Sequence, residues 1–538
     1  MHRTATWICL VAIVLLGFGI RVYGLNQFYF SPDDLLHLEI ASGDSLREVW
    51  RNAAEQMHPP LFYSLIHFLE QVTLDAEFYR YLPILPGVAL IVALFFLGRV
   101  VSGDLAGIAM AFVAAFSVGG AILSQVIRPY CLLALLLSVG LTQFALYMRH
   151  RRARFLVCYG FVTLLGVLMH YGAAIQLLAI SLVWAGRLAV ERQPRREWFR
   201  FVLVSAPPFA LLAGFYLWHA SALAGLYAAI RQSYLKRVFP SDLSQFWSSV
   251  RGFFEHMLAP EVWWLGMLVV PLGVYAMWRK SRSLTVVVVL SVGINLVLML
   301  AHRYPFGGSR HSFVLFPILA VTLGCAFQFV ADAVKSRAGL SGERGRGVWF
   351  AYGVGAVILA VSIASVWLYY DSHRFMRRSG HVAAEFPVDW NAYRRVMKKL
   401  HRDAGSRDPV LANRQTGHYL LFEAGYAPER IHSYLSDQLF HFAVRGEDGA
   451  HLQVYVAEAE LNFRNAEALT RSLAKLTEEV EIHSDTNVWV ANFGWGTPIE
   501  SIRELDATYA ELVEPVEVAG GVQLYRLTGQ AVQTLLGR

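Results

Sequence analysis

Charge is what this chain has least of. Asp, Glu, Lys and Arg together make up 16% of its 538 residues, where soluble domains carry about 25%, and that shortage excludes a protein soluble along its whole length. Cysteine is scarcer still. Cys9, Cys131, Cys158 and Cys325 all fall inside apolar runs at spacings that suit no metal, which excludes a disulfide framework and reads as core thiols. Internal repeats and low-complexity tracts are absent. The net charge of +7 does not point to nucleic acid, because Lys and Arg cluster in short loops between apolar runs, the way membrane topology is written.

What the chain does have is apolar length. Hydrophobic residues reach 56%, and runs long enough to cross a bilayer fill most of the first 370 residues. The fold class expected is a polytopic α-helical membrane protein of eleven transmembrane helices with a C-terminal soluble α/β domain. The spans are Thr6 to Leu25, Leu82 to Val101, Leu105 to Leu123, Pro129 to Tyr147, Phe155 to Met169 and Gly172 to Gly186, then Phe201 to Trp218, Val262 to Trp278, Leu284 to Ala301, Ser312 to Val330 and Val348 to Tyr369. The first lacks a small-residue cleavage site before Asn26, so it reads as a retained helix rather than a removed signal peptide.

Loop charge sets the orientation. Arg3, Arg99, Arg149 to Arg154, Arg187 to Arg200, Arg279 to Arg282 and Lys335 to Arg346 mark alternate loops as cytoplasmic. The N-terminus is then inside the plasma (inner) membrane. Outside lie the loops 26–81 and 219–261, the shorter turns, and the C-terminal domain. Within the first of these loops Leu61 to Val72, after Pro59-Pro60, reads as an amphipathic surface helix. Ala220 to Ala259, with its aromatic and basic residues, suits either interfacial helices or a mobile substrate lid.

Two domains follow: a transmembrane domain, 1–370, and an outer α/β domain, 371–538. In the second, Asp389 to Asp403 and Glu467 to Glu479 have helical periodicity, Pro409 to Asn413 and Asn487 to Asn492 read as buried strands, and Val516 to Leu527 reads as a hairpin around Gly520-Gly521. No acid, base and cation cluster stands out there, which suits acceptor recognition or stability rather than chemistry.

Unusual polar residues collect at the outer ends of the spans. In Phe30-Ser31-Pro32-Asp33-Asp34-Leu35-Leu36-His37, Ser31 has the chemistry of an N-cap, Pro32 suits the first helical position, and Asp34 falls where a capping-box acid sits. Asp33 and His37 then share a face. Further on come His58-Pro59-Pro60, Gln125 with Arg128-Pro129-Tyr130, His170-Tyr171, and Arg303, Arg310 and His311. Singly, each has a plain structural reading: helix-dipole acids, a helix-entry turn, a snorkelling arginine. Charges near lipid cost about 2.5–3.5 kcal/mol at the helix centre on insertion scales, so several in one layer indicate a polar cavity.

These motifs, in this order, resemble the GT-C membrane glycosyltransferases, in the branch of protein O-mannosyltransferases, the aminoarabinose transferase of lipid A and the galacturonosyl transferases of lipopolysaccharide core. Ser31-Pro32-Asp33-Asp34 matches the acidic pair that opens the first outer loop, and His58-Pro59-Pro60-Leu61-Phe62-Tyr63 matches the Pro-Pro-Leu motif. Ser124 to Tyr130, His170-Tyr171 and Tyr304 to His311 are similar to later outer-loop motifs. The resemblance spans residues 5 to 370. It departs from the family at Asp34, where Glu is common, and at His58, where several members carry Lys.

The resemblance implies an enzyme that moves one sugar from a polyprenyl-phosphate-linked donor to an acceptor hydroxyl at the outer face, with inversion. The acceptor is a glycan, lipid or protein. Asp33 then serves as general base, beside Asp34. Arg128 and Arg310 are the first choices for the phosphate that leaves, with His58 and His170 next and Tyr130, Arg303 and His311 as further substrate-binding candidates. Asp34 and His37 either orient these groups or hold a divalent cation, although no defined metal cage is visible. A polytopic transporter is the main alternative, yet midplane coupling residues and paired repeats are lacking. An O-antigen ligase or polymerase is nearer in chemistry but does not share the acidic pair.

Overall fold

The structure, a computed structural model, describes residues 3–23, 25, 31–55, 58–73, 76–230, 239–340, 390–405, 407–423, 439–445, 451–457, 463, 466–493, 507–519 and 522–537. The chain forms two compact units. One holds Met1–Tyr23 and Leu46–Phe375; the other holds Gly24–Ser45 and Met376–Arg538.

Up to residue 340 the helices are α1 (Arg3–Val22), α2 (Pro32–Ala41), α3 (Leu46–Glu55), α4 (Leu61–Glu70), α5 (Ala76–Tyr79), α6 (Tyr81–Val101), α7 (Asp104–Phe116) and α8 (Val118–Leu123). They continue as α9 (Tyr130–His150), α10 (Ala153–Met169), α11 (Ala173–Val190), α12 (Arg195–Ile230), α13 (Leu243–Met257), α14 (Trp263–Lys280), α15 (Arg282–Leu300) and α16 (Phe316–Leu340), the last preceded by a 3-10 turn at Arg310–Leu315. Among the described residues seven helices are long and apolar enough to cross a membrane, on α1, α6, α9, α11, α12, α15 and the segment Arg310–Val334. This unit is a multi-pass membrane bundle. Prolines inside α6, α12 and α14 are compatible with spans, where neighbouring helices re-satisfy the freed carbonyls. At the basic end of the bundle short loops are stitched by Arg99 to Asp104 at 3.0 Å, Lys280 to Asp332 at 3.7 Å and Arg187 to Ser283 Oγ at 3.2 Å.

Two expectations are modified. The third span, Leu105 to Leu123, is not continuous: Ser117 turns extended (ψ 124°), ends α7 and caps α8 by accepting the Gly120 N–H at 3.0 Å. A serine that bonds the backbone ahead competes with helix continuation. Cys131 and Cys325 are buried as core thiols, but Cys158 is half-buried and Cys9 is exposed on α1. Val348 to Tyr369 lies outside the described residues. The surface helix expected from Leu61 is α4, entered from Pro60. Residues 220–230 continue α12, 231–238 lie outside the described residues, and α13 follows.

In the second unit the elements are α2, then α17 (Trp390–Asp403), β1 (Pro409–Asn413), α18 (Arg414–Glu423), β2 (Leu439–Arg445), β3 (His451–Ala457), α19 (Ala466–Glu479), β4 (Asn487–Phe493), α20 (Ala507–Leu512), β5 (Glu514–Ala519), β6 (Val522–Thr528) and α21 (Gly529–Leu535). The six strands form one sheet in the order β2-β3-β1-β4-β6-β5. The central strand β1 runs parallel to β3 and β4, and the edges are antiparallel pairs. All five residues of β1 are buried, as a strand covered on both faces requires. Alternation splits the core. Leu411, Val488, Val490, Tyr525 and Leu527 pack with Leu469, Leu473 and Leu476 of α19, while Tyr393 of α17, Tyr419 of α18 and Phe493 of β4 form an aromatic triad elsewhere, with centroids 5.7 to 6.2 Å apart.

Candidate active site

Within the membrane unit, four separate stretches of sequence converge at one end of the bundle. The first is the turn between α8 and α9. Ser124 Oγ donates to Gly120 O at 2.6 Å, and Gln125 Nε2 donates to Arg21 O at 3.0 Å and Tyr23 O at 3.3 Å. That anchoring presents Arg128, which is only 5% exposed, and Tyr130 at the head of α9.

The second stretch is the turn between α10 and α11. His170 leaves α10 in extended conformation, and its Nδ1 accepts the Gly172 N–H at 2.9 Å. The ring proton of the neutral imidazole is therefore on Nε2. Burial, helped by His58 and Arg310 nearby, pushes His170 down to about 3, so it works as a neutral donor. Gly172 is needed for the approach: a Cβ there would stand 2.5 Å from Val314 Cγ1 and 2.7 Å from the Tyr304 hydroxyl.

Third comes the segment between α15 and α16. Gly307 takes φ +139° and donates its N–H to Ser312 Oγ at 2.9 Å; a side chain there would be strained. Phe306 stacks on Phe253 of α13 at 5.1 Å. Tyr304 donates its hydroxyl to His311 O at 3.1 Å, and burial next to Tyr130 holds its phenol protonated far above the usual range. The Tyr130 hydroxyl and His311 Nδ1 are 3.3 Å apart. Ring centroids tie the group together: Tyr130 to His170 5.1 Å, Tyr130 to His311 6.0 Å, Tyr304 to His311 6.0 Å and His170 to Tyr304 6.5 Å. Half-buried His58, at the entry to α4, is the fourth stretch, and with Arg128, Arg310 and His170 it lies close enough to His311 to act on it electrostatically.

His58, Arg128, Tyr130, His170, Arg310 and His311 are thus brought together as one layer of two guanidiniums, three imidazoles and phenols. Arg303 is not part of it. Its side chain is exposed, and its N–H closes the end of α15 by donating to Leu298 O at 2.8 Å. Two residues to which the sequence assigned no role take part: Tyr304, quoted only within a motif, lies in the layer, and Arg21, an arginine inside the last turn of the first apolar run, supports the turn that carries Arg128. Two guanidiniums fixed in one layer suit an anion such as a phosphate. Among the described residues no three His, Cys, Asp or Glu side chains are placed to share a metal.

The acidic pair lies in the other unit, on α2. Ser31 caps this helix as the sequence predicts: its Oγ accepts the Asp34 N–H at 3.1 Å, and its own N–H donates to Asp34 Oδ2 at 2.9 Å. His37 Nδ1 donates to Asp33 O at 2.7 Å. Asp34 and His37 are each 3% exposed, whereas Asp33 is half-buried. Asp34 holds the cap, and Asp33 is the less buried of the two.

No family model matches the sequence, and neither does any curated protein. Solved structures do match. ArnT from Cupriavidus metallidurans in the apo state superposes with a TM-score of 0.53 at 13% identity, over 99% of each chain. The archaeal oligosaccharyltransferase AglB from Archaeoglobus fulgidus, in complex with an inhibitory peptide and a dolichol-phosphate, gives 0.52 at 14% identity over 96% of this chain and 74% of that one. The A. fulgidus oligosaccharyltransferase tethered with an acceptor peptide gives 0.50 at 12% identity; 78% of this chain is matched, and it spans 63% of the length of that protein. The fold of this chain is accordingly GT-C-like, a helical membrane bundle followed in sequence by a sheet-containing domain.

Proposed function

We propose that the chain is a membrane glycosyltransferase that moves one sugar from a polyprenyl-phosphate-linked donor to an acceptor hydroxyl on the outer face of the membrane, with inversion. The observation that carries this reading is the layer of Arg128, Arg310, His170, His311 and Tyr130, an anion site built at one end of a lipid-facing bundle. The neighbours in fold support it: one was solved with a dolichol-phosphate.

In this mechanism the bond from the anomeric carbon to the phosphate oxygen breaks while the acceptor oxygen bonds to that carbon from the opposite side. The acceptor proton passes to the Asp33 carboxylate, and the leaving phosphate keeps the electron pair. Arg128 and Arg310, charged throughout, stabilise the negative charge that the phosphate gains, and the neutral Nε2–H of His170 adds a donor. Preorganised donors of this kind are worth about 2.7–4 kcal/mol each. Asp34 keeps the helix start in place.

The orientation follows from the basic loops, with the N-terminus cytoplasmic and the α/β domain outside. In a chain freed of its native cysteines, Ser484→Cys should react with an impermeant maleimide in cells whose outer barrier is opened, and Arg196→Cys should not. Transfer of radiolabelled sugar from a polyprenyl phosphate by the purified protein tests the activity. A protein that binds the lipid donor yet moves it across vesicle membranes, with no transfer, would be a transporter. Mass spectrometry of envelope glycans and glycoproteins from a deletion strain then identifies sugar and acceptor together.

A further inference from the structure

The acidic helix α2 belongs to the same compact unit as the sheet domain, although the domain begins far along the chain. Its ten residues are too few to be stable alone in water. Leu35, Leu38, Ile40 and Ala41 are at most 3% exposed, as are Asp34 and His37, so α2 is held by packing. Within this unit, among the described residues, it packs against α18. That helix leaves the carboxyl end of the central strand β1 and lies against β1, β2, β3 and β4.

The start of α18 is bolted to the sheet by side chains that an apolar core does not require. Asn413, the last residue of β1, is fully buried and accepts the Thr416 N–H on its Oδ1 at 2.8 Å, as an N-cap does. Its Nδ2 donates to Asn492 Oδ1 on β4, and Asn492 Nδ2 donates to Gln523 Oε1 on β6 at 2.9 Å. The Thr416 hydroxyl accepts the Phe493 N–H at 2.7 Å, which fastens the first turn of α18 to the end of β4. Buried amides are costly unless satisfied. Here each donor finds the next acceptor in a single direction across three strands, and a ladder of this kind permits one placement of α18 where leucines would permit several.

We propose that the sheet domain positions the acidic pair: Asn413, Asn492 and Thr416 fix α18, and α18 fixes α2 with Asp33 on it. These are positioning residues, since none is argued to touch substrate. The inference rests on the reading of Asp33 as general base, and it assigns the domain a share in the chemistry beyond acceptor recognition or stability.

The test uses the full-length protein in nanodiscs and follows hydrogen exchange, donor affinity and turnover together. Thr416→Val removes the acceptor of the Phe493 N–H, and Thr416→Ser retains it. With Thr416→Val, amides of Pro32–Ala41 should exchange about tenfold faster, the effect of one lost buried hydrogen bond, while β6 stays protected. Turnover should fall by a similar factor at unchanged KM for the lipid donor, and Thr416→Ser should restore both. If Thr416→Val exposes β6 as well, Leu38→Ala provides the second route, because it loosens α2 from its own side. It should lower turnover with the exchange of α18 unchanged. Faster exchange in α18 with α2 still protected would overturn the proposal. Loosening of α2 with full turnover would leave the docking in place and remove Asp33 from the mechanism instead.

Discussion

Ser31 and Asp34 hold each other in both directions, backbone N–H to carboxylate at 2.9 Å and backbone N–H to hydroxyl at 3.1 Å. The pair of aspartates is thereby divided. One oxygen of Asp34 is committed to the helix start, while Asp33 next to it is half-buried and is the carboxylate that the proposed mechanism uses as base.

Asp33→Asn should therefore keep fold and donor affinity and lower turnover by about 10²–10⁴-fold, the usual contribution of a positioned base. Asp34→Asn should instead cost about 0.5–2 kcal/mol through the cap, seen as a lower melting temperature, with a smaller loss of turnover per folded molecule. Near-normal turnover in folded Asp33→Asn protein excludes it as the base.

Much of this was legible from residue order. The capping box at Ser31, the helix over Trp390–Asp403, the strand Pro409–Asn413 and the pair of strands ending at Thr528 all follow from local rules of capping, periodicity and turn chemistry, which operate over a few residues. The convergence of Arg128, His170 and Arg310 followed from the alternation of loops. Non-local packing left no such signal. Nothing in Pro32 to Ala41 tells that this helix docks on α18, because its burial on several sides leaves little amphipathic periodicity to read. The break at Ser117 was hidden within an apolar run whose composition suits a span on both sides. The amide ladder joins residues that are separated by whole elements, so its members look like ordinary strand-end polar residues until the sheet order is known.

Arg128→Lys and Arg310→Lys keep the charge but lose the planar fork that meets two phosphate oxygens at once. Each should reduce turnover by about 10²–10³-fold in protein that melts normally. Arg303→Lys, at an exposed position, should leave turnover near that of the parent. A parent-like Arg310→Lys enzyme would show that a point charge suffices and that Arg310 is not the fork.

His170 provides a pH signature. Its native pKa is pushed down to about 3, while the unfolded imidazole titrates near 6.5, so between these values the unfolded chain holds the extra proton and stability rises with pH. On acidification from pH 7 to 5 this residue alone should cost about 2 kcal/mol, from roughly 1.5 units at 1.36 kcal/mol each. His170→Asn keeps an acceptor for the Gly172 N–H and does not titrate. Its thermal midpoint should fall less steeply over that range, and parallel curves for the two proteins would assign the acid sensitivity to another group.

Arg21 is wholly buried in the last turn of α1 and acts as a clamp. Its Nε donates to Ser124 Oγ at 3.0 Å, Nη1 to Gly17 O at 2.9 Å and Ala115 O at 3.2 Å, and Nη2 to Ala114 O at 2.8 Å. The carbonyls of Ala114 and Ala115 belong to the last turn of α7, where the chain turns away at Ser117 and no helical N–H follows to meet them. The arginine takes the place of that missing turn and ties it to Ser124, four residues before Arg128. Arg21→Met fills similar space but leaves those carbonyls bare, at about 1–3 kcal/mol each. Arg21→Lys supplies one compact ammonium where a fork served three segments. Thermal unfolding should place the lysine variant between the parent and the methionine variant. Affinity for polyprenyl phosphate should fall in the same order, because Arg128 loses its anchored turn. Full stability in Arg21→Met would mean that water meets those carbonyls and that Gln125 and the Ser124 bond to Gly120 suffice to hold the turn before Arg128.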